Sequence, residues 1–298
     1  MKISLLRSAV VLVGMLALAA CGGGGGSSSS GGGSGGGGGS SSGTNGLDFG
    51  ANGQELSDAE GADVTMRSAS FQAGNGPSIE DATITLDAGF FNGGTANIDG
   101  RIEIFGQSVD ITNGAGTLPT GENVVVVFEP DRAGTYAAAL EVQVSAGTGS
   151  IDGEQAYVFG FETNPSQIAA RTSGTATYSG DFLAFGSLNG SSNTQTDYEG
   201  QITVVVDFTG SGNADVDLDG RLNGATDVDL SADNLAISEN GFDGSLSCDT
   251  GCSGGGSSID ATFYGPNAVE LGGVLDIDVN VGADSFDGVG TFVIDQEP

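Results

Sequence analysis

The chain has 298 residues, 55 of them Gly, with 39 Asp and Glu against 7 Lys and Arg, no His, no Trp and a formal charge of −32. A field of that sign repels nucleic acid and anionic lipid. The absence of His, with Lys2 the only lysine, removes most triad, general-base and Schiff-base chemistry, so we expect no enzyme and no cofactor. Carboxylate pairs recur throughout so acidic a chain and discriminate nothing. Acidity speaks to solubility and association; we read it as a solubility adaptation before a surface for a basic partner or for bound cations.

The chain begins with Lys2 and Arg7, then an apolar run from Ser8 to Ala20. A membrane span needs about 20 residues; this run has the dimensions of a secretory signal, which sets residues 1–20 aside from the fold. The run ends "LAAC", Leu18 to Cys21, which resembles the bacterial lipobox. The resemblance implies lipidation of Cys21, now the first mature residue, and attachment to a membrane through that lipid; the competing reading is an ordinary signal that happens to precede a cysteine. Each buried methylene strengthens such attachment by about 0.8 kcal/mol. Gly22, rather than Asp, follows the cysteine, which in the sorting pattern of Gram-negative lipoproteins implies the outer membrane and the cell surface. Residues 21–46 then read as a disordered Gly/Ser linker whose root-mean-square span is about 25–30 Å.

From Leu47 onward the patterning is all-β. Strand signals fall at 82–91, 96–106, 122–130, 135–145 and 155–163, separated by Gly- and Asp-rich turns. The stretch 135–145 has some helical character, but the alternation of Leu140, Val142 and Val144 favours a strand. Residues 164–174 read as a connector. Eight strand-like runs follow, at about 174–186, 197–208, 213–222, 226–231, 233–247, 257–264, 271–279 and 288–295. Ile202, Val204, Val206 and Phe208 share one face of their run. Val216, Leu218 and Leu222 oppose Asp215, Asp217, Asp219 and Arg221 in the next. Such alternation predicts a closed eight-stranded antiparallel barrel over 171–298, preceded by a separate β domain over 47–170.

Cys248 and Cys252 stand four residues apart in "CDTGC". In an exported chain two close cysteines predict a disulfide, and a zinc site lacks ligands. "DVDLDG" at 215–220 matches the start of a calcium loop, but Thr226 stands where an acid is required, and the strand rhythm claims the segment; we expect no metal site. "GGSGG" at 32–36 fits a nucleophile elbow only formally, since no His exists to activate Ser34.

One further pattern is more specific. "FYGPNAVELGG" (263–273), with "TSGTATYSGDF" (172–182) and "VVVDFTGSGNADVDLDG" (204–220), resembles the β-barrel domain of the transferrin-binding protein B family of surface lipoproteins. The residues that carry it are Thr175 to Tyr178, Phe263, Tyr264, Gly265 and Pro266, Ala268, and the Gly272–Gly273 pair. The family has two lobes, each a handle plus a barrel; this chain has room for one, with 47–170 as the handle-like part. The resemblance implies capture of a protein or nutrient ligand, iron-related, such as an iron or haem carrier. It also implies delivery to a TonB-dependent outer-membrane receptor. Haem ligation would fall to Tyr136, Tyr157, Tyr178, Tyr198 or Tyr264, which we read instead as half-buried strand residues. The alternatives are a structural or adhesion lipoprotein with no transport role and a secreted small-ligand binder.

Overall fold

The computed structural model describes residues 63–72, 76–86, 100–105, 107–145, 151–171, 173–190, 195–210 and 212–298. The expected signal segment 1–20, Cys21 and the linker to 46 lie outside the described residues. The described residues all belong to the compact unit Gly43–Pro298 and form two antiparallel sheets. The first contains β1 (Asp63–Gln72), β2 (Gly76–Leu86), β3 (Gly100–Ile104), β4 (Gln107–Ile111), β5 (Ala115–Thr117), β6 (Asn123–Ala133), β7 (Ala137–Ser145) and β8 (Ile151–Gly160). Its order is β4-β3-β2-β1-β8-β7-β6-β5. The end strands β4 and β5 are joined by a two-residue turn at Asn113 and Gly114, both with positive φ, a geometry that suits a tight hairpin. One side of this sheet encloses Ile102, Ile104, Val109, Ile111, Val124, Val126, Leu140, Val142, Tyr157 and Phe159.

The second sheet contains β9 (Thr175–Leu188), β10 (Gln195–Asp207), β11 (Asn213–Leu222), β12 (Thr226–Ala236), β13 (Gly241–Ser245), β14 (Ser247–Thr250), β15 (Ser258–Tyr264), β16 (Glu270–Val281) and β17 (Asp284–Gln296). The last strand pairs with the first, β17 with β9. β13 pairs with β15 and β14 with β12. Because β13 and β14 are separated only by Leu246, the sheet is a nearly closed barrel. Side chains alternate along β11: Ala214, Val216, Leu218 and Leu222 are buried while Asp215, Asp217, Asp219 and Arg221 are exposed. An apolar interior with carboxylates outside is the reverse of a membrane-spanning barrel. Tyr178, Phe182, Tyr198, Phe208, Phe242, Phe263, Phe286 and Phe292 fill that interior.

The barrel has nine strands where the sequence rhythm predicts eight. The break expected between the runs 226–231 and 233–247 falls inside a single strand, β12. β12 continues through Asn234, which takes a φ of 58° and donates its N–H to the Asp215 carboxylate at 2.8 Å, so a register shift opposite Ala214 and Val216 carries the strand on. The following run then breaks at Leu246 into β13 and β14. In the first sheet, β1, β4 and β5 fall outside the strand signals read above; β1, "DVTMRSASFQ", interrupts its alternation with Arg and Ser. Between the sheets lies α1 (Pro165–Ala170) in the segment read as a plain connector. The Asn164 side chain caps it by accepting the Ser166 N–H at 2.9 Å. Pro165 suits its first turn, and Ile168 is buried in the barrel core.

Candidate functional site: the seam between the two sheets

The motif residues converge on the line where the first sheet meets the barrel. After β8 the chain runs alongside the end of β15. Thr163 donates its N–H to the Phe263 carbonyl at 2.7 Å, and Gly265 donates to the Phe161 carbonyl at 2.8 Å. The Thr163 hydroxyl donates to the Gly265 carbonyl at 2.7 Å. Phe263 and Tyr264 point to opposite sides, as successive strand residues must. Phe263 enters the barrel and lies 5.9 Å from the rings of Tyr178 and Phe208 and 6.2 Å from Phe242. Tyr264 joins the packing between the sheets. Gly265 holds a φ of 71°, and the space a Cβ would need is taken by the Tyr136 ring, so the turn before Pro266 admits only glycine.

The Gly272–Gly273 pair serves the same two sides. A Cβ on Gly272 would stand 2.8 Å from Val158 Cγ1 of β8, and one on Gly273 would stand 2.5 Å from Phe292 Cζ inside the barrel. Thr175 opens β9 at the surface, paired with Asp207. Tyr178 is buried and donates its hydroxyl to the Ala268 carbonyl at 2.6 Å, fixing the turn that follows Pro266. Burial pushes its phenol up to about 12, against an opposing effect of Arg171. Arg171 lies with its guanidinium carbon 3.8 Å from the Phe208 ring centroid and donates to the Asn267 carbonyl at 2.9 Å.

The seam itself is apolar. Ala69, Ala137, Ala139, Ala156 and Val158 of the first sheet meet Tyr264, Val274 and Val289 of the barrel. Small side chains on β1, β7 and β8 let the two sheets approach closely. At one end, the Glu270 carboxylate accepts from three successive backbone N–H groups, those of Thr135 (2.6 Å), Tyr136 (2.9 Å) and Ala137 (2.9 Å). Burial raises its pKa while those three bonds oppose the rise. Nothing in the sequence singles out Glu270 among 39 acids.

Cys248 and Cys252 are bonded, with an S–S distance of 2.09 Å and Cα atoms 5.8 Å apart. The bridge fastens the loop after β14, beside β12. The tyrosines weighed above as haem ligands have structural partners: besides Tyr178, Tyr198 donates to the Val228 carbonyl and Tyr157 to the Glu103 carbonyl, both at 2.9 Å. Tyr136 packs against the seam. "DVDLDG" lies within β11, hydrogen-bonded to β10 and β12, a strand and not a calcium loop. Among the described residues no helix is long and apolar enough to cross a membrane.

Comparison with known proteins agrees with this geometry. Residues 171–292 match the family described as the C-lobe and N-lobe beta barrels of transferrin-binding protein B. A crystal structure of a mutant of that protein from Haemophilus parasuis Hp5 superposes with a TM-score of 0.51 at 17% identity, covering 79% of this chain and 46% of its own. That from serogroup B Neisseria meningitidis gives 0.46 at 16%, covering 78% and 44%. The chain thus spans less than half the length of either structure. No curated protein sequence matches it. The C-terminal sheet is a transferrin-binding protein B-like barrel domain, and of the motif residues behind that likeness Tyr178, Phe263, Tyr264, Gly265, Gly272 and Gly273 pack or shape turns in the barrel or the seam, while Thr175 lies exposed at the start of β9.

Proposed function

We propose that the protein is a lipid-anchored lobe displayed on the outer membrane of a Gram-negative bacterium. It captures a protein ligand, of the iron-carrier class, and passes it to a TonB-dependent receptor. The observation that supports this reading best is the match of 171–292 to a family of ligand-binding barrels, joined to a second sheet that packs on the barrel as a handle would. The filled barrel interior favours a ligand held on loops and outer faces over a small molecule held inside. The lipid on Cys21 and the linker to 46 give the lobe its reach from the membrane.

Binding of purified chain to immobilised iron-loaded transferrin, iron-free transferrin and haemoglobin tests the capture step. Saturable binding to one carrier, abolished by excess free carrier, is the expected result. Absence of saturable binding to all three removes the iron-carrier assignment and leaves the adhesion reading standing.

A further inference from the structure

At the end of the seam opposite Glu270, two acids, Glu154 and Asp276, hold buried carboxylate oxygens with no hydrogen-bond partner among the described residues. Along β8, Val158, Ala156 and Glu154 occupy successive positions on one face, and the first two pack against the barrel. Glu154 is 5% exposed, and neither of its carboxylate oxygens has a hydrogen-bond partner among the described residues. A carboxylate stripped of water without a partner is strongly unfavourable, whereas the neutral acid is tolerated.

The surroundings of Glu154 oppose its charge. Glu141 of β7, on the rung of Ala156, and Asp197 of β10 both do so. On the barrel side, Asp276 is the next outward position on β16 after Val274, and its buried Oδ1 also lacks a partner among the described residues. Asp278 of β16 and Asp287 of β17 oppose its charge in turn. The rung partners of Glu154 are uncharged: Gln143 of β7 and Phe71 of β1. Arg67 of β1 belongs to the rung of Val158, four residues along β8, with Asp81 of β2 opposite it in the backbone ladder on the other side.

We propose that this end of the seam is a proton-operated catch: the first sheet lies against the barrel while Glu154 carries a proton and parts from it, at that end, when the proton leaves. The Glu270 end differs, because three backbone N–H donors there oppose the effect of burial on its carboxyl. Burial, then Glu141 and Asp197, push the Glu154 carboxyl up to about 8. Burial, then Asp278 and Asp287, push that of Asp276 up to about 7. A pKa raised by docking means that the seam is most stable below the ordinary carboxylate range. It weakens as pH climbs from about 4.5 towards 8, because the parted state releases its proton first.

The test is hydrogen exchange of β8 and β16 amides, corrected for intrinsic rates, across pH 5 to 9. It uses the chain from Cys21 onward with Cys21→Ser. Between about pH 7 and 8, above the range in which Asp276 releases its proton, protection at the seam should fall by up to about tenfold per pH unit, the limit for release of one proton. Glu154→Gln should remove most of that slope, whereas Asp249→Asn, an exposed acid on the disulfide loop, should leave it unchanged. An unchanged slope in Glu154→Gln overturns the proposal. So does suppression of the wild-type slope by millimolar calcium, which would make the site a cation site. Infrared spectroscopy of the wild-type protein needs no variant: a protonated-carboxyl band at pH 6.5 that disappears by pH 9 is expected, and its absence at pH 6.5 overturns the proposal equally.

Discussion

At the residue scale, the two acids of the seam show how context gives one side-chain type opposite tasks. Glu270 is buried yet meets three N–H donors, so its charge is used. Glu154 is buried, has no hydrogen-bond partner among the described residues, and faces the charges of Glu141 and Asp197, so its charge is a liability. Substituting Glu270 by Gln keeps the shape, but the amide cannot accept all three bonds, and its own N–H groups face donors. Hydrogen bonds to charged groups contribute about 1.5–3 kcal/mol each, so Glu270→Gln should destabilise the chain by about 2–3 kcal/mol. Tyr178→Phe removes one neutral bond and leaves the Ala268 carbonyl without it, for about 1–2 kcal/mol. Denaturant unfolding should rank the two variants in that order; a Tyr178→Phe loss larger than that of Glu270→Gln contradicts the assignment of the charged clamp.

At the element scale, the strands that alternate cleanly are the ones the sequence discloses. β10 and β11 are legible because their apolar positions recur every second residue and, Val205 apart, their outward positions are charged or polar. β1 is not, since a strand flanked on both sides by other strands can hold its place through ladder hydrogen bonds without an apolar face. α1 was hidden by its length: six residues carry no periodicity, and only the Asn-Pro pair at 164–165 signals its start. The split of β13 from β14 was illegible because it comes from how the ring meets itself rather than from a turn residue. Tyr264 and Gly272 could be found as motif residues but not as seam residues, since nothing local tells which sheet an outward side chain will meet. Glu154 could not be found at all, because acids are too common here to stand out. The Cys248–Cys252 bridge closes a short loop, and chain entropy for so few residues amounts to about 2 kcal/mol. Reduction should therefore lower the denaturation midpoint modestly while the β-type circular dichroism persists; loss of that spectrum on reduction would contradict a local role.

At the scale of the whole molecule, the two sheets exchange no strands among the described residues. The isolated bridge between Glu162 and Tyr264 and the bonds around it are the main-chain hydrogen bonds that tie the first sheet's exit to the barrel. We therefore expect residues 171–298 to fold alone with a cooperative transition, since the ring carries its own aromatic core. Separation uncovers Tyr264, Val274 and Val289, so the fragment should be less stable than the intact chain and more prone to self-association. A fragment that stays unfolded until residues 47–170 are supplied refutes that independence.

The account as a whole holds that a lipid at Cys21 displays a capture lobe outside the cell. The measurement that tests it most directly is the binding of fluorescently labelled iron-loaded transferrin to intact, unpermeabilised cells producing either the wild-type chain or Cys21→Ser. Wild-type cells should retain the label and lose it after brief external protease treatment, while Cys21→Ser cells should retain none and release the lobe from the membrane fraction. Equal retention by the two strains, or wild-type chain that protease cannot reach, would contradict the account.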